Sequence, residues 1–320
     1  MRPKHLITIV ALVLVLATVV AVSLRRVLLK PVAPQSAPSA PVSALAVQPD
    51  VAQTALGQTP TPAAWPDPAL TGGIEGLYLQ LSRALSFDLA DVRGLAVTDA
   101  AFYIATADPA KRVGMVVQAS REHYGILQTH ALELDGRYRA GGLHLGEAGL
   151  WVPLAGDGDD TGATIALLDP AYLEVEHSFQ VDQRIRAVAQ IGDNELVGIS
   201  ESGDRLYVWT LKGRTRRRAT NLTGAVYHDL AWVRGSLIAA GVADRGAGAV
   251  IDVLDPESLT LLARHHVYAR SPGGEWVTAG GFDAREEQFF MLAEGGPRPS
   301  LFTYALLDGA LHDYVPATQP

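Results

Sequence analysis

The loop Gly156-Asp157-Gly158-Asp159-Asp160-Thr161-Gly162 holds the densest run of potential cation ligands in the chain. Asp157, Asp159 and Thr161 alternate and Gly162 follows at the turn position, as in the first half of an EF-hand calcium loop. The twelfth position is Leu168 where such a loop needs a bidentate Glu. The loop is therefore either a weak Ca²⁺ site or a solvated turn. A second group of candidates, His144, Asp182, His228 and Asp229, lies near the starts of strand-like segments. Carboxylates and imidazoles placed there could face a central channel, hold a metal and polarise a bound water or carbonyl. Asn, a further oxygen ligand, occurs only as Asn194 and Asn221. The absence of cysteine excludes thiolate nucleophiles, Cys-ligated zinc and iron–sulfur clusters. No nucleophile elbow, P-loop, Rossmann fingerprint or H-E-x-x-H motif occurs.

The elements that must position these residues are legible in a repeat. Gly149–Val181 aligns without a gap on Gly235–Val267, 86 residues later, with nine of 33 positions identical. The shared residues are turn formers and core aliphatics, among them Leu168-Asp169-Pro170 with Leu173, and Leu254-Asp255-Pro256 with Leu259. In each copy an apolar strand runs into Asp-Pro. There Asp accepts bonds from nearby backbone N–H groups and Pro presets φ for the turn. An intermediate copy at Ala187–Leu222 halves the period, and looser copies flank the set. Unit starts fall near Gly94, Gly142, Ala187, Asp229 and Gly280. Four short strands in roughly 45 residues is the size of a propeller blade. The fold expected is all-β: a β-propeller of five or six four-stranded blades over residues 74–320, closed by an N-terminal strand at Leu85–Leu89.

The stretch Gly141-Gly142-Leu143, then Leu150-Trp151-Val152-Pro153-Leu154-Ala155, Leu168-Asp169-Pro170 and Asp182 ahead of Ile185 resembles a bacterial and fungal group of six-bladed β-propeller-like proteins of unknown function, over about residues 94–304. The resemblance implies the fold and no activity. The chain departs from the group where His-Pro usually precedes the paired glycines, having Arg139-Ala140. It departs again with Arg184 and Arg186 in place of His and Gly. If those positions form a site in the group, that site is altered here.

Upstream, residues 1–30 read as a membrane anchor. Leu6–Leu24 is uncharged and as a helix would rise about 28 Å, the thickness of a bilayer's hydrocarbon core. A cleaved signal peptide ending near Ala21-Val22-Ser23 is the rival reading. Residues 31–73 form a Pro/Ala-rich linker that cannot bury enough apolar surface to order itself. Nine of the 19 prolines lie between Pro31 and Pro68. Such a tether suits a single-pass inner-membrane protein with its propeller facing the periplasm. Residues 1–30 contain five Lys/Arg and no acid, leaving 21 basic against 34 acidic residues downstream, which argues against nucleic-acid binding. The one strong basic run, Lys212–Arg218, reads as a solvated outer hairpin edge, with contact to anionic headgroups or an acidic partner as the alternative. The function expected is a binding or scaffold module for a protein or saccharide partner; the alternative is a metal-assisted hydrolase or lactonase acting at the channel.

Overall fold

In a computed structural model the described residues are 77–306, apart from 159, 244–247, 286–287 and 295–297. The expected anchor and linker lie outside them. Among the described residues no helix is long and apolar enough to cross a membrane.

These residues form a β-propeller of five antiparallel four-stranded blades. The first comprises Gly94–Val97, Ala101–Asp108, Val113–Ser120 and Ile126–Leu132. In the second, the innermost position is split into Arg139–Ala140 and His144–Gly146, followed by Gly149–Ala155, Ala163–Leu168 and Val175–Val181. The third runs Ile185–Ile191, Glu195–Ser200, Arg205–Thr210 and Thr215–Thr220, and the fourth Ala225–Val233, Ser236–Ala243, Ala249–Leu254 and Leu261–Val267. The fifth has Gly281–Arg285, Gln288–Ala293 and Ser300–Leu306, completed by Leu77–Ala84. The five inner strands begin close to the five unit starts read from the sequence. The ring thus has five blades among the described residues, not the six that the resemblance implies.

The closing strand is also displaced from the expected one. Leu77–Ala84 pairs antiparallel with Ser300–Leu306, from Leu77 opposite Leu306 to Ala84 opposite Ser300. Its alternation of Leu77, Leu79 and Leu81 with polar residues suits an edge strand buried on one face. The expected strand Leu85–Leu89 is instead the connection into the first blade. Buried Leu85 and the partly buried Phe87 and Leu89 pack there against Leu95, Phe102 and Phe290, filling the seam between the fifth and first blades. An apolar run at a seam and an apolar strand look alike in sequence.

The repeated Asp-Pro text has a specific structural cause. Asp169 accepts the amides of Ala171 and Tyr172 at 2.6 and 3.1 Å, and Asp255 accepts those of Glu257 and Ser258 at 2.8 and 2.7 Å. The turn ends on Leu173 and Leu259, both at φ of 59° and both buried. A left-handed conformation is costly for leucine. It is retained in both copies because it drops an aliphatic side chain into the core while the outer strand turns away. Apolar burial is concentrated between blades, in five clusters, each spanning one pair of neighbours. The basic run becomes the Lys212-Gly213 turn and the outermost strand Thr215–Thr220 of the third blade.

At the axis the inner strands meet backbone to backbone. Gly142 donates to Arg186 O at 2.7 Å and accepts from Val188 N at 3.2 Å, bridging the second and third blades. A Cβ on Gly142 would sit 2.2 Å from Asp229 Oδ1, and one on Gly281 would lie 2.6 Å from Gly94 C. The fully buried Asp229, on the inner strand of the fourth blade, accepts Leu95 N from the first blade at 3.1 Å and Phe282 N from the fifth at 2.9 Å through Oδ2, and its neighbour Leu230 N at 3.0 Å through Oδ1. Replacing Asp229 by Ala would strip three buried amides of their acceptor. The Asp229→Ala variant is expected to lose about 3 kcal/mol or more of stability in urea denaturation; a loss below about 1 kcal/mol would show that the axial bonds are dispensable.

Candidate active site at the axial mouth

Two irregularities in the inner strands build the functional candidate. In the third blade Ile185 pairs with Ser200 and Ala187 with Ile199, leaving Arg186 as the extra residue of a β-bulge. In the fourth blade Tyr227 pairs with Gly241 and Asp229 with Ala240, leaving His228 in the same role. A bulge re-aims its extra side chain out of the pleat. Here both are turned into a cavity of about 440 Å³. The second blade, its inner strand broken just after Ala140, supplies Arg139, and the approach to the first blade supplies Asp91 and Arg93. Glu294, after the second strand of the fifth blade, and Glu275, in the connection leading to that blade, complete the polar wall.

Arg186 is held rigidly. Its Nε and Nη2 donate to Glu201 O at 3.1 and 2.9 Å, and its Nη1 lies 3.3 Å from His228 Nδ1. The carboxylate of Glu201 is directed elsewhere, to Arg184 Nε at 2.5 Å. Arg93 is paired with Asp91 at 2.8 Å. Arg139 and Arg186 have no carboxylate partner among the described residues. Burial, and then the charges of Arg93 and Arg139, make the Arg186 cation easier to deprotonate than usual, against the favourable pull of Glu201. The same burial and the charges of Arg186 and Arg93 push the His228 imidazole down to about 4. His228 is thus neutral near pH 7, with Nδ1 placed to accept from Arg186. Across the cavity Glu294 accepts Val92 N. Burial and the nearby Asp91 and Glu275 raise its carboxyl above the ordinary range.

Of the four channel candidates His144, Asp182, His228 and Asp229, only His228 lines this cavity. Asp229, its neighbour, is spent on backbone amides at the axis. Burial and, after the opposing amides, the charge of Asp283 hold its carboxyl well above the usual range. His144 is buried on the second blade, and burial alone lowers its imidazole to about 4. Asp182 and Thr161 come together instead in a shallower cavity of about 570 Å³ with Arg184, Ser202 and Asp204, on the side of the second and third blades. Asp157 accepts Tyr138 Oη at 2.7 Å and lies 3.7 Å from Arg112 Nη2. Asp160, next along the acidic loop, is clamped by Arg137 Nε and Nη2 at 2.7 and 3.1 Å, which holds its carboxyl down at about 2. The expected ligand Asp159 lies outside the described residues. The loop's described carboxylates are therefore directed at Tyr138 and arginines, and no cluster of three or more metal-ligating side chains occurs among the described residues.

The sequence reading missed Arg93, Asp91, Glu275 and Glu294. Arg139 and Arg186 were visible as departures from the resembling group, and both face the mouth.

No protein-family model and no curated protein matches the chain. Solved structures do. A glutaminyl cyclase from Myxococcus xanthus superposes with a TM-score of 0.53 over 72% of this chain and 97% of its own, at 13% identity. A luciferin-regenerating enzyme gives 0.44 over 70% and 80% at 11% identity, and the virginiamycin B lyase of Staphylococcus aureus 0.40 over 68% and 66% at 10%. The first likeness shows the β-propeller fold; none carries an activity to this chain.

The depressed His228 has a definite sign. Its folded value near 4 lies below the ordinary 6.5, so it adds stability above pH 6.5 that is lost as pH falls toward 4. The His228→Gln variant, which keeps an acceptor for Arg186, is expected to show a shallower drop in melting temperature between pH 6.5 and 4 than the parent. Equal slopes by calorimetry would refute the placement of a neutral, enclosed imidazole.

Proposed function

We propose that this protein is a binding module that receives the anionic group of a ligand in the mouth of its propeller. The observation that carries this reading is the convergence of Arg139 and Arg186, from two adjacent blades, on one cavity, with neither guanidinium in an ion pair among the described residues. Guanidinium donors suit carboxylate and phosphate oxygens. Arg186 offers five N–H donors in principle and three are engaged with Glu201 O and His228, which leaves two for a ligand. The cavity's size is that of ordinary small-molecule pockets, so the ligand is a small molecule or a terminal group of a protein or saccharide partner. The apolar run Leu6–Leu24 and the Pro-rich tract after it support a membrane-tethered module with its propeller on the periplasmic side.

Metal-assisted hydrolysis, the other reading of the fold, draws no support from the donor geometry, because Asp229 spends both carboxylate oxygens on amides and Asp157 faces Tyr138 and Arg112.

Titration calorimetry of the full-length protein in detergent micelles with inorganic phosphate, acetate and succinate is the direct test. At least one of these anions is expected to bind, and Arg139→Ala and Arg186→Ala are each expected to weaken it about tenfold or more. Binding that persists unchanged in both variants, or no binding of any anion at millimolar concentration, would sink the proposal.

A further inference from the structure

The mouth is divided by charge. Arg139 and Arg186 come from the second and third blades. Glu275 and Glu294 belong to the approach and body of the fifth, across the ring from Arg139 and Arg186, and Asp91 to the entry of the first; Glu201 on the third blade and Arg93 beside Asp91 add one charge of opposite sign to each side. His228, in the fourth blade, sits between the two sides. Asp91 is shared with Arg93, whereas Glu275 and Glu294 have no cationic partner among the described residues. Glu294 is partly buried and fixed through its bond from Val92 N. Glu201 pairs with Arg184 and also favours the Arg186 cation, and Arg93 favours the Glu294 carboxylate, yet none of Arg139, Arg186, Glu275 and Glu294 is held in an ion pair among the described residues. A purely anionic ligand would satisfy the first pair and be repelled by the second. Groups of both signs without an ion pair in one cavity, Arg139, Arg186 and Glu294 partly buried and Glu275 exposed, are best compensated by a ligand that carries both.

We infer that the axial mouth binds a small zwitterion, a free α-amino acid or a dipeptide, with its carboxylate on Arg139 and Arg186 and its ammonium on Glu294 and Glu275. This rests on the anion-binding reading above and adds the ligand's second charge. The cavity volume of about 440 Å³ accommodates a molecule of this class.

The test uses full-length protein in detergent micelles and ligand-observed NMR against pooled L-amino acids and pooled dipeptides. Any hit is then titrated alongside its N-acetyl and its C-terminal amide derivatives. Capping either end is expected to weaken binding about tenfold or more, as are Arg139→Ala and Glu294→Gln. The latter keeps an oxygen to accept Val92 N, and melting temperatures within about 2 °C of the parent would show that both variants fold. If the pools give no hit while phosphate, acetate or succinate binds in an Arg139-dependent manner and is indifferent to Glu294→Gln, the zwitterion inference is wrong and the anion site stands. Tolerance of an N-acetyl cap overturns it in the same way. If neither zwitterions nor simple anions bind, both readings fall.

Discussion

One carboxylate at the centre organises this ring. Asp229 reaches from the fourth blade to the amides of Leu95 and Phe282, the first and fifth. Those amides face the axis, where there is no further strand to pair with and little room for water. An inner strand of a propeller has this problem on one edge throughout its length. Asp229 solves it at the axis for two blades at once. Asp283 repeats the device between the fifth and first, accepting Val97 N at 2.7 Å, and burial raises its carboxyl to about 7. Gly142 is obligatory because Asp229 fills the place of any side chain there. Packing the axis this tightly leaves the apolar cores between the blades and a polar cavity at the mouth.

Placement of the mouth residues follows from that constraint. His228 and Asp229 are adjacent in sequence and opposite in purpose. A bulge at His228 frees one residue from the ladder, so Asp229 can turn to the axis while His228 faces the cavity. The same bulge recurs 42 residues earlier at Arg186, whose carbonyl is then taken by Gly142 N. A single irregularity, used in two consecutive blades, therefore both knits the blades together and supplies side chains to the site. Arg186 and His228 reach the mouth from positions where the ladder is interrupted, and the regular parts of the strands carry the packing.

The architecture was legible in the sequence because its signals are local. Asp169-Pro170 with Leu173 and Asp255-Pro256 with Leu259 specify a turn that depends on residues within five positions of each other, and the repeat advertises it twice. Blade starts could be counted for the same reason. The closing strand could not, since Leu77–Ala84 finds its partner more than 200 residues away, and Leu85–Leu89 is equally apolar for a different purpose. The site was mostly hidden. Val92 and Glu294 are 202 residues apart and meet only because the ring closes, so no spacing announces them. Arg139 and Arg186 stood out as unusual residues, but a bulge leaves no mark in composition, and the direction of a side chain on a strand cannot be read without it. Asp229 was found as a polar residue near the channel; its full burial, and so its structural use, depended on neighbours from two other blades.

The pairing of Leu77 with Leu306 also bears on the order of the blades. Because the first and last described strands lie side by side in one blade, the backbone makes a nearly complete circuit and returns to its own starting place. No blade is intrinsically first. Joining the two ends with a short connector and cutting instead within an outer hairpin would preserve every strand ladder and every axial bond, changing only the sequence in which they are written. The covalent break in the circle is thus a choice about where the rest of the chain is attached, and in this protein it is placed on the fifth blade, whose approach carries Glu275 and whose second strand ends beside Glu294.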